Sequence, residues 1–140
     1  MRTLSKGLSL NFNDANCMDV TNYLDMNRLL LISDLLLTDY SSSAGDFILQ
    51  KRPVIMTAYD QDEYSSMERQ FIVTPEDAGF ITVKNDDELI DAISGLNDEK
   101  IKLEYERVNQ YYGTKESGNA SEAICRAIDE AALSIMKVKI

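Results

Sequence analysis

The chain has 140 residues, and its fourteen basic residues against twenty-four acidic ones, with no histidine, give a formal charge of -10. That balance repels a nucleic-acid backbone and an anionic lipid surface, and the missing imidazole removes the commonest general base along with every Ser-His and Cys-His nucleophilic pair. A composition of 44% hydrophobic and 27% charged residues is that of an ordinary globular domain rather than a disordered or fibrous chain.

Residues 1–16 are polar with weak periodicity and read as a truncated lead-in, so the expected domain runs from 17 to 140. Cys17 and Cys125 stand far apart with no C-x-x-C spacing, which excludes a zinc knuckle or redox pair and fits a reduced, cytoplasmic setting. Both are expected to pack as small apolar side chains, and Met18, Met26, Met56 and Met67 as core or near-core filler.

Met26, Leu29 and Leu30 recur at helical spacing after Asp25, a good cap, which predicts a short helix over 26–32. The longest apolar run, from Leu29 to Leu37, is interrupted by Ser33 and Asp34. It is far short of the roughly 20 residues a bilayer requires. The stretch 34–38 reads as a strand covered on both faces. The serines 41–43 then open a helix whose buried stripe is Ala44, Phe47 and Ile48 and which Pro53 forbids from continuing. Val54 to Thr57 predicts a second buried strand, so 34–57 is a strand, helix, strand unit, the signature of a parallel pair in an α/β fold.

Further along, residues 80–83 suggest one more strand, and Asn85 with Glu88 three residues later resembles a capping box for a helix through Leu89, Ile90, Ala92, Ile93 and Leu96 that ends at Gly95. Helical spacing continues in Leu103, Val108 and Tyr111, then in Ala123, Ile124, Ala127 and Ile128, with a break at Ser117-Gly118-Asn119. The acidic stretches 60–63 and 86–88 read as solvated surface.

Ligands of open parallel sheets lie beyond the carboxyl ends of the strands. The segment Thr38-Asp39-Tyr40-Ser41-Ser42-Ser43 holds that position, and its three serines offer hydroxyl and backbone donors to a phosphate. A serine run before a helix is equally an ordinary cap, and spacing alone does not separate the two readings. Asp39 would oppose an anion, so it is expected to point away or to bond neighbouring backbone.

The ordered series Asp19-Val-Thr-Asn-Tyr23, Leu31-Ile-Ser-Asp34, Thr38-Asp-Tyr-Ser-Ser42, Asp46-Phe47 and Lys51-Arg-Pro53 resembles the family of CDP-glycerol glycerophosphotransferases of teichoic acid and cell wall biogenesis. The resemblance implies a Rossmann-like doubly wound parallel sheet, the C-terminal half of a GT-B glycosyltransferase-type fold. It implies a transferase parent that moves glycerol phosphate from CDP-glycerol to a hydroxyl acceptor and releases CMP, with no cofactor and no metal. By the same resemblance Ser41 and Ser42 contact the donor diphosphate and Asp46 bonds a donor hydroxyl, with Ser43 beside them a further substrate-binding candidate. The stretch Cys17-Met18-Asp19 lines the cytosine largely through backbone, and Arg69 contacts phosphate or acceptor. A bare helix-start role for Asp46 and a surface ion pair for Arg69 with Glu68 or Asp62 remain open.

The chain departs from the family pattern at Gln70, Ala78 and Ala123, which touches acceptor contacts more than donor binding. The implied partners are a cytidine diphosphate donor and the missing N-terminal domain of the same enzyme, with no nucleic acid. Membrane contact would come only through a parent peripheral to the cytoplasmic face. The family's catalytic roles fall largely to histidines, so the isolated chain is expected to be inactive. Two alternatives stand beside this: half of a UDP-sugar GT-B transferase, or a non-catalytic α/β binding module.

Overall fold

The computed structural model describes the backbone of residues 16–67 and 72–137, and the side chains of 16–64 and 72–135. The chain divides into two compact units, Met1–Ile32 and Ser33–Ile140.

In the first unit the predicted helix, α1, spans Met26–Ile32. Asp25 caps it as expected, its Oδ1 accepting the Arg28 amide at 3.2 Å. Upstream, Asp19 turns the chain by accepting the Thr21 amide at 2.8 Å. Hydrogen bonding from Thr21, led by its side chain, holds the Asp19 carboxyl below its ordinary value. Cys17 is exposed, as are Met18 (83%) and Met26 (59%), so the expected apolar packing of these three does not occur in the structure.

The second unit is an α/β layer built on three parallel strands, β1 (Leu36–Thr38), β2 (Val54–Thr57) and β3 (Ile81–Val83), in the order β1-β2-β3. Leu37 lies opposite Ile55, and Ile55 opposite Ile81. β2 is the centre, with Val54, Ile55 and Met56 all buried, which is the continuous apolar strand that a doubly covered position demands. β1 differs from the expectation. It is an edge strand among those described, and Leu37 is 46% exposed. The three strands also follow chain order, so the reversal that makes a sheet doubly wound does not occur among the described residues.

The β1-to-β2 crossover is α2, Ser43–Ile48, packed on both strands. Its Ala44, Phe47 and Ile48 are 1%, 0% and 2% exposed, as the stripe predicts. Burying side chains of this size stabilises by about 1.5–3 kcal/mol each for the two large ones. Lys51, in the left-handed region at φ 58, turns the chain into β2.

A helix the sequence pattern did not announce, α3, covers Gln61–Met67. The side chain of Met67, expected near the core, lies outside the described residues. After β3 comes α4, Asp86–Ser94, packed on β2 and β3. The capping box is present in modified form: Asn85 Oδ1 accepts the Glu88 amide at 2.9 Å, while Glu88 reaches past Asn85 to the Lys84 amide at 2.7 Å. Gly95 closes the helix as expected. α5 (Asp98–Tyr112) starts at a second asparagine cap, Asn97, whose Oδ1 accepts the Lys100 amide, and ends at left-handed Gly113, several residues before the expected break. α6 spans Ala120–Lys137, but Ile124 and Ile128 are exposed and Cys125 is exposed with them.

One acid behaves unlike the others. Glu104, on α5, is 3% exposed and spans two strands, with Oε2 accepting the Val54 amide at 3.2 Å and Oε1 the Ile81 amide at 2.9 Å. Burial pushes its carboxyl up to about 7 against the pull of those two amides. It satisfies the first amides of β2 and β3, which as strand-entry donors sit where an unpaired buried N–H is costly.

Candidate functional site

The carboxyl ends of β1 and β2 open on the same edge, tied by a 3.4 Å hydrogen bond from Thr57 Oγ1 to the Thr38 carbonyl. From β1 the chain passes through Asp39, exposed and without a hydrogen bond among the described residues, to Tyr40 at φ 37, a left-handed conformation that few non-glycine residues adopt. That reversal presents the serines.

Ser41 and Ser43 share a 2.8 Å hydroxyl–hydroxyl hydrogen bond, and the Ser43 amide donates to Ser41 Oγ at 3.3 Å. The Ala44 and Gly45 amides donate to the carbonyls of Ser41 and Ser42. The expectation of free backbone donors is therefore corrected for 43–45: a tight turn satisfies them internally. What stays open is a hydroxyl. Ser42 is the residue that starts α2, yet its backbone is helical and its side chain makes no capping hydrogen bond. An N-cap serine ordinarily spends its oxygen on the helix; this one is exposed and makes no side-chain hydrogen bond among the described residues.

Tyr40, Ser41 and Ser42 line a cavity of about 380 Å³ together with Met56, Pro75, Phe80 and Tyr112. Small hydroxyls along an apolar and aromatic wall suit a ligand with an anionic group and a flat ring. Of the expected ligand-binding residues that the structure describes, Ser41 and Ser42 line this cavity. Ser43 stands beside them as Ser41's partner, and Asp46 is exposed one turn further along α2. Met18 and Asp19 belong to the other unit. Arg69, Glu68 and Gln70 lie outside the described residues, and with them either ion pair expected of Arg69.

The lining contributed by 74–80 and Tyr112 was not anticipated from sequence. The segment 74–78 is a helical turn in which Asp77 donates its amide to Thr74 Oγ1 and Thr74 Oγ1 donates to Asp77 Oδ2. Thr74 followed by Pro75 and two acids is the local pattern of a helix start, and would have located the turn. Tyr112 carries no such signal, since only the path of α5 brings it here.

The rim beyond β2 is aromatic and acidic. Tyr40 Oη donates to Asp60 at 3.0 Å, and Tyr59 Oη donates to Asp86 at 2.8 Å. Burial first, then the Asp60 hydrogen bond, raises the Tyr40 phenol; the Asp86 bond raises that of Tyr59. Both hydroxyls stay protonated donors at neutral pH. Among the described residues no helix is long and apolar enough to cross a membrane.

The family model for CDP-glycerol:poly(glycerophosphate) glycerophosphotransferase matches residues 4–130. The teichoic acid glycerol-phosphate transferase of Staphylococcus aureus (strain NCTC 8325 / PS 47) is 40% identical over 114 residues, covering 79% of this chain and 29% of that protein. The teichoic acid poly(glycerol phosphate) polymerase of Bacillus subtilis (strain 168) is 33% identical over 116 residues, 81% of this chain and 16% of that one. Among solved structures, a wall teichoic acid polymerase TagF soaked with CDPG superposes with a TM-score of 0.66 at 30% identity, over 94% of this chain and 33% of that one. The chain thus spans less than a third of the length of the transferase and about a third of the polymerase chain in the crystal.

Proposed function

This chain belongs to the CDP-glycerol:poly(glycerophosphate) glycerophosphotransferase family, and from that premise we propose that residues 17–140 are the donor-nucleotide-binding domain, the C-terminal half of a GT-B-type transferase. The parent would move glycerol phosphate from CDP-glycerol to a hydroxyl acceptor of a teichoic acid or related polymer, at the cytoplasmic face of the membrane, and release CMP.

The observation that carries this reading is the Ser42 hydroxyl, uncommitted as a cap and facing a cavity with Ser41 at the exit of β1. In the proposed complex the two hydroxyls donate to the diphosphate and the aromatic wall accepts the ring end of the nucleotide. Asp46 accepts a donor hydroxyl, and Met18, Asp19 and Arg69 complete the donor and acceptor contacts. In-line displacement requires an alcohol proton to be removed and negative charge on phosphorus to be stabilised. This chain supplies donors for the second task and, having no histidine, no imidazole for the first. It therefore binds donor without transferring.

Titration of the 15N-labelled chain with CDP-glycerol, CMP and a UDP-sugar tests the assignment. The expected result is saturable shifts centred on the amides of 41–46 for both cytidine ligands and weak or absent shifts for the UDP-sugar. A stronger response to the UDP-sugar, or shifts that avoid 41–46, would sink it, and turnover of labelled CDP-glycerol by this chain would sink the non-transferring part.

A further inference from the structure

The turn that carries Ser41 and Ser42 is closed by its own hydrogen bonds, but its entry at Tyr40 is fastened by contacts from elsewhere in the chain. It begins at Tyr40, whose φ of 37 places a bulky residue in a region that L side chains leave when nothing retains them. The retaining contacts come from twenty residues away and beyond. Tyr40 Oη donates to Asp60 Oδ1 at 3.0 Å, and the Tyr40 ring stacks on Tyr64 with centroids 4.6 Å apart and planes 26° from parallel. Asp60 immediately precedes α3 and Tyr64 lies within it, so the exit of β1 is fastened to the segment that follows β2. The same Tyr40 lines the cavity next to Ser41 and Ser42.

We propose that Tyr40 is a positioning residue: its hydroxyl bond to Asp60 and its stack on Tyr64 hold the strained backbone that sets Ser41 and Ser42 at the spacing needed for a diphosphate. The inference rests on the donor-binding reading above. Strain of this kind persists only where surrounding contacts over-determine it, and the two contacts to Asp60 and Tyr64 do so here. The raised phenol keeps Oη a donor to Asp60 throughout the neutral range. Release of the tie lets Tyr40 relax to negative φ, and because the serine turn starts at the next residue, the two hydroxyls move with it.

The test uses the full 140-residue chain and four variants. Tyr40→Phe keeps the stack and loses the hydroxyl, Asp60→Ala removes the acceptor, Asp60→Asn keeps an acceptor oxygen, and Tyr40→Phe with Asp60→Ala completes a double-mutant cycle. Affinity for CDP-glycerol, read by calorimetric titration, is expected to weaken about fivefold to tenfold for Tyr40→Phe and for Asp60→Ala, the range set by losing one exposed hydrogen bond of ordinary strength. The double variant is expected to bind no worse than either single one, and Asp60→Asn to stay near the parent chain. Without ligand, the amide resonances of 41–43 are expected to shift in Tyr40→Phe and Asp60→Ala and to remain in place in Asp60→Asn. Additive losses in the double variant, equal losses in Asp60→Asn and Asp60→Ala, or unmoved 41–43 resonances would overturn the proposal. Failure of the parent chain to bind CDP-glycerol would instead remove the donor reading, and the ligand-free resonances would then decide alone whether Tyr40 sets the turn.

Discussion

Glu104 and Ile81, twenty-three residues apart in the chain, meet through a 2.9 Å hydrogen bond from the Ile81 amide to a carboxylate that is almost wholly buried. The other oxygen of the same carboxylate takes the Val54 amide, so one side chain of α5 joins the entry ends of two parallel strands. Replacement by alanine orphans both donors at once. Glu104→Ala is expected to cost about 2–6 kcal/mol of unfolding free energy, given that each unpaired buried group costs roughly 1–3 kcal/mol, measured by urea denaturation with an unchanged m-value.

The same residue gives the chain a pH signature. Its folded value is raised to about 7 from an ordinary 4.5, chiefly by burial. The folded state therefore holds the proton more tightly than the unfolded one, and the contribution is fully present below about pH 4.5 and lost as pH rises through about 7. The stability of the parent chain relative to Glu104→Gln is expected to fall by about 3 kcal/mol between about pH 4.5 and 8, since each tenfold difference in proton affinity between the two states is worth about 1.4 kcal/mol. A difference that stays flat or grows over that range would show that burial does not dominate the site.

Gly79 sits where no side chain fits. Its φ is 101, and a Cβ there would lie 2.7 Å from Arg107 Cβ and 3.1 Å from the Val108 amide nitrogen, on the helix that carries Glu104. Gly79→Ala combines left-handed strain with overpacking against backbone, for an expected loss of about 2–4 kcal/mol. Thermal unfolding monitored by circular dichroism reads it directly.

The two asparagine caps can be separated from the core. Asn85→Ala and Asn97→Ala are each expected to lower stability by about 1 kcal/mol, and the corresponding serine substitutions by much less, because serine also accepts the third-residue amide. Phe47→Ala, at 0% exposure between α2 and the strands, is expected to cost about 3–5 kcal/mol. Equal effects from cap and core variants would contradict the burial pattern.

Both thiols are exposed. An aromatic disulfide reagent is expected to titrate Cys17 and Cys125 in the native chain at rates little changed by denaturant, whereas a buried thiol would wait for unfolding.

Much of this fold is legible locally because the deciding physics is local. The spacing of Met26, Leu29 and Leu30 with Asp25 ahead of them fixes α1 to its observed bounds. The run Val54 to Thr57 gives β2, and Ala44, Phe47 and Ile48 give the buried face of α2. Periodicity and capping are properties of four or five neighbouring residues, so the sequence alone determines them. The serine turn is legible in the same way as a place where the chain leaves a strand for a helix.

Burial and partnership are decided elsewhere. Nothing near Glu104 distinguishes it from the exposed Glu99 or Glu106; only the approach of α5 to the strand entries makes it a buried staple. Cys17, Met18, Met26 and Cys125 are apolar by type yet exposed, because exposure depends on what the rest of the fold brings near them. The cavity needs Pro75 and Tyr112 from separate stretches, and the left-handed Tyr40 needs Asp60 and Tyr64. The sequence determined that hydroxyls would stand at the exit of β1. The tertiary structure decided what fastens the entry to the turn and what lines the cavity beside it, because those outcomes are set by contacts between residues distant along the chain.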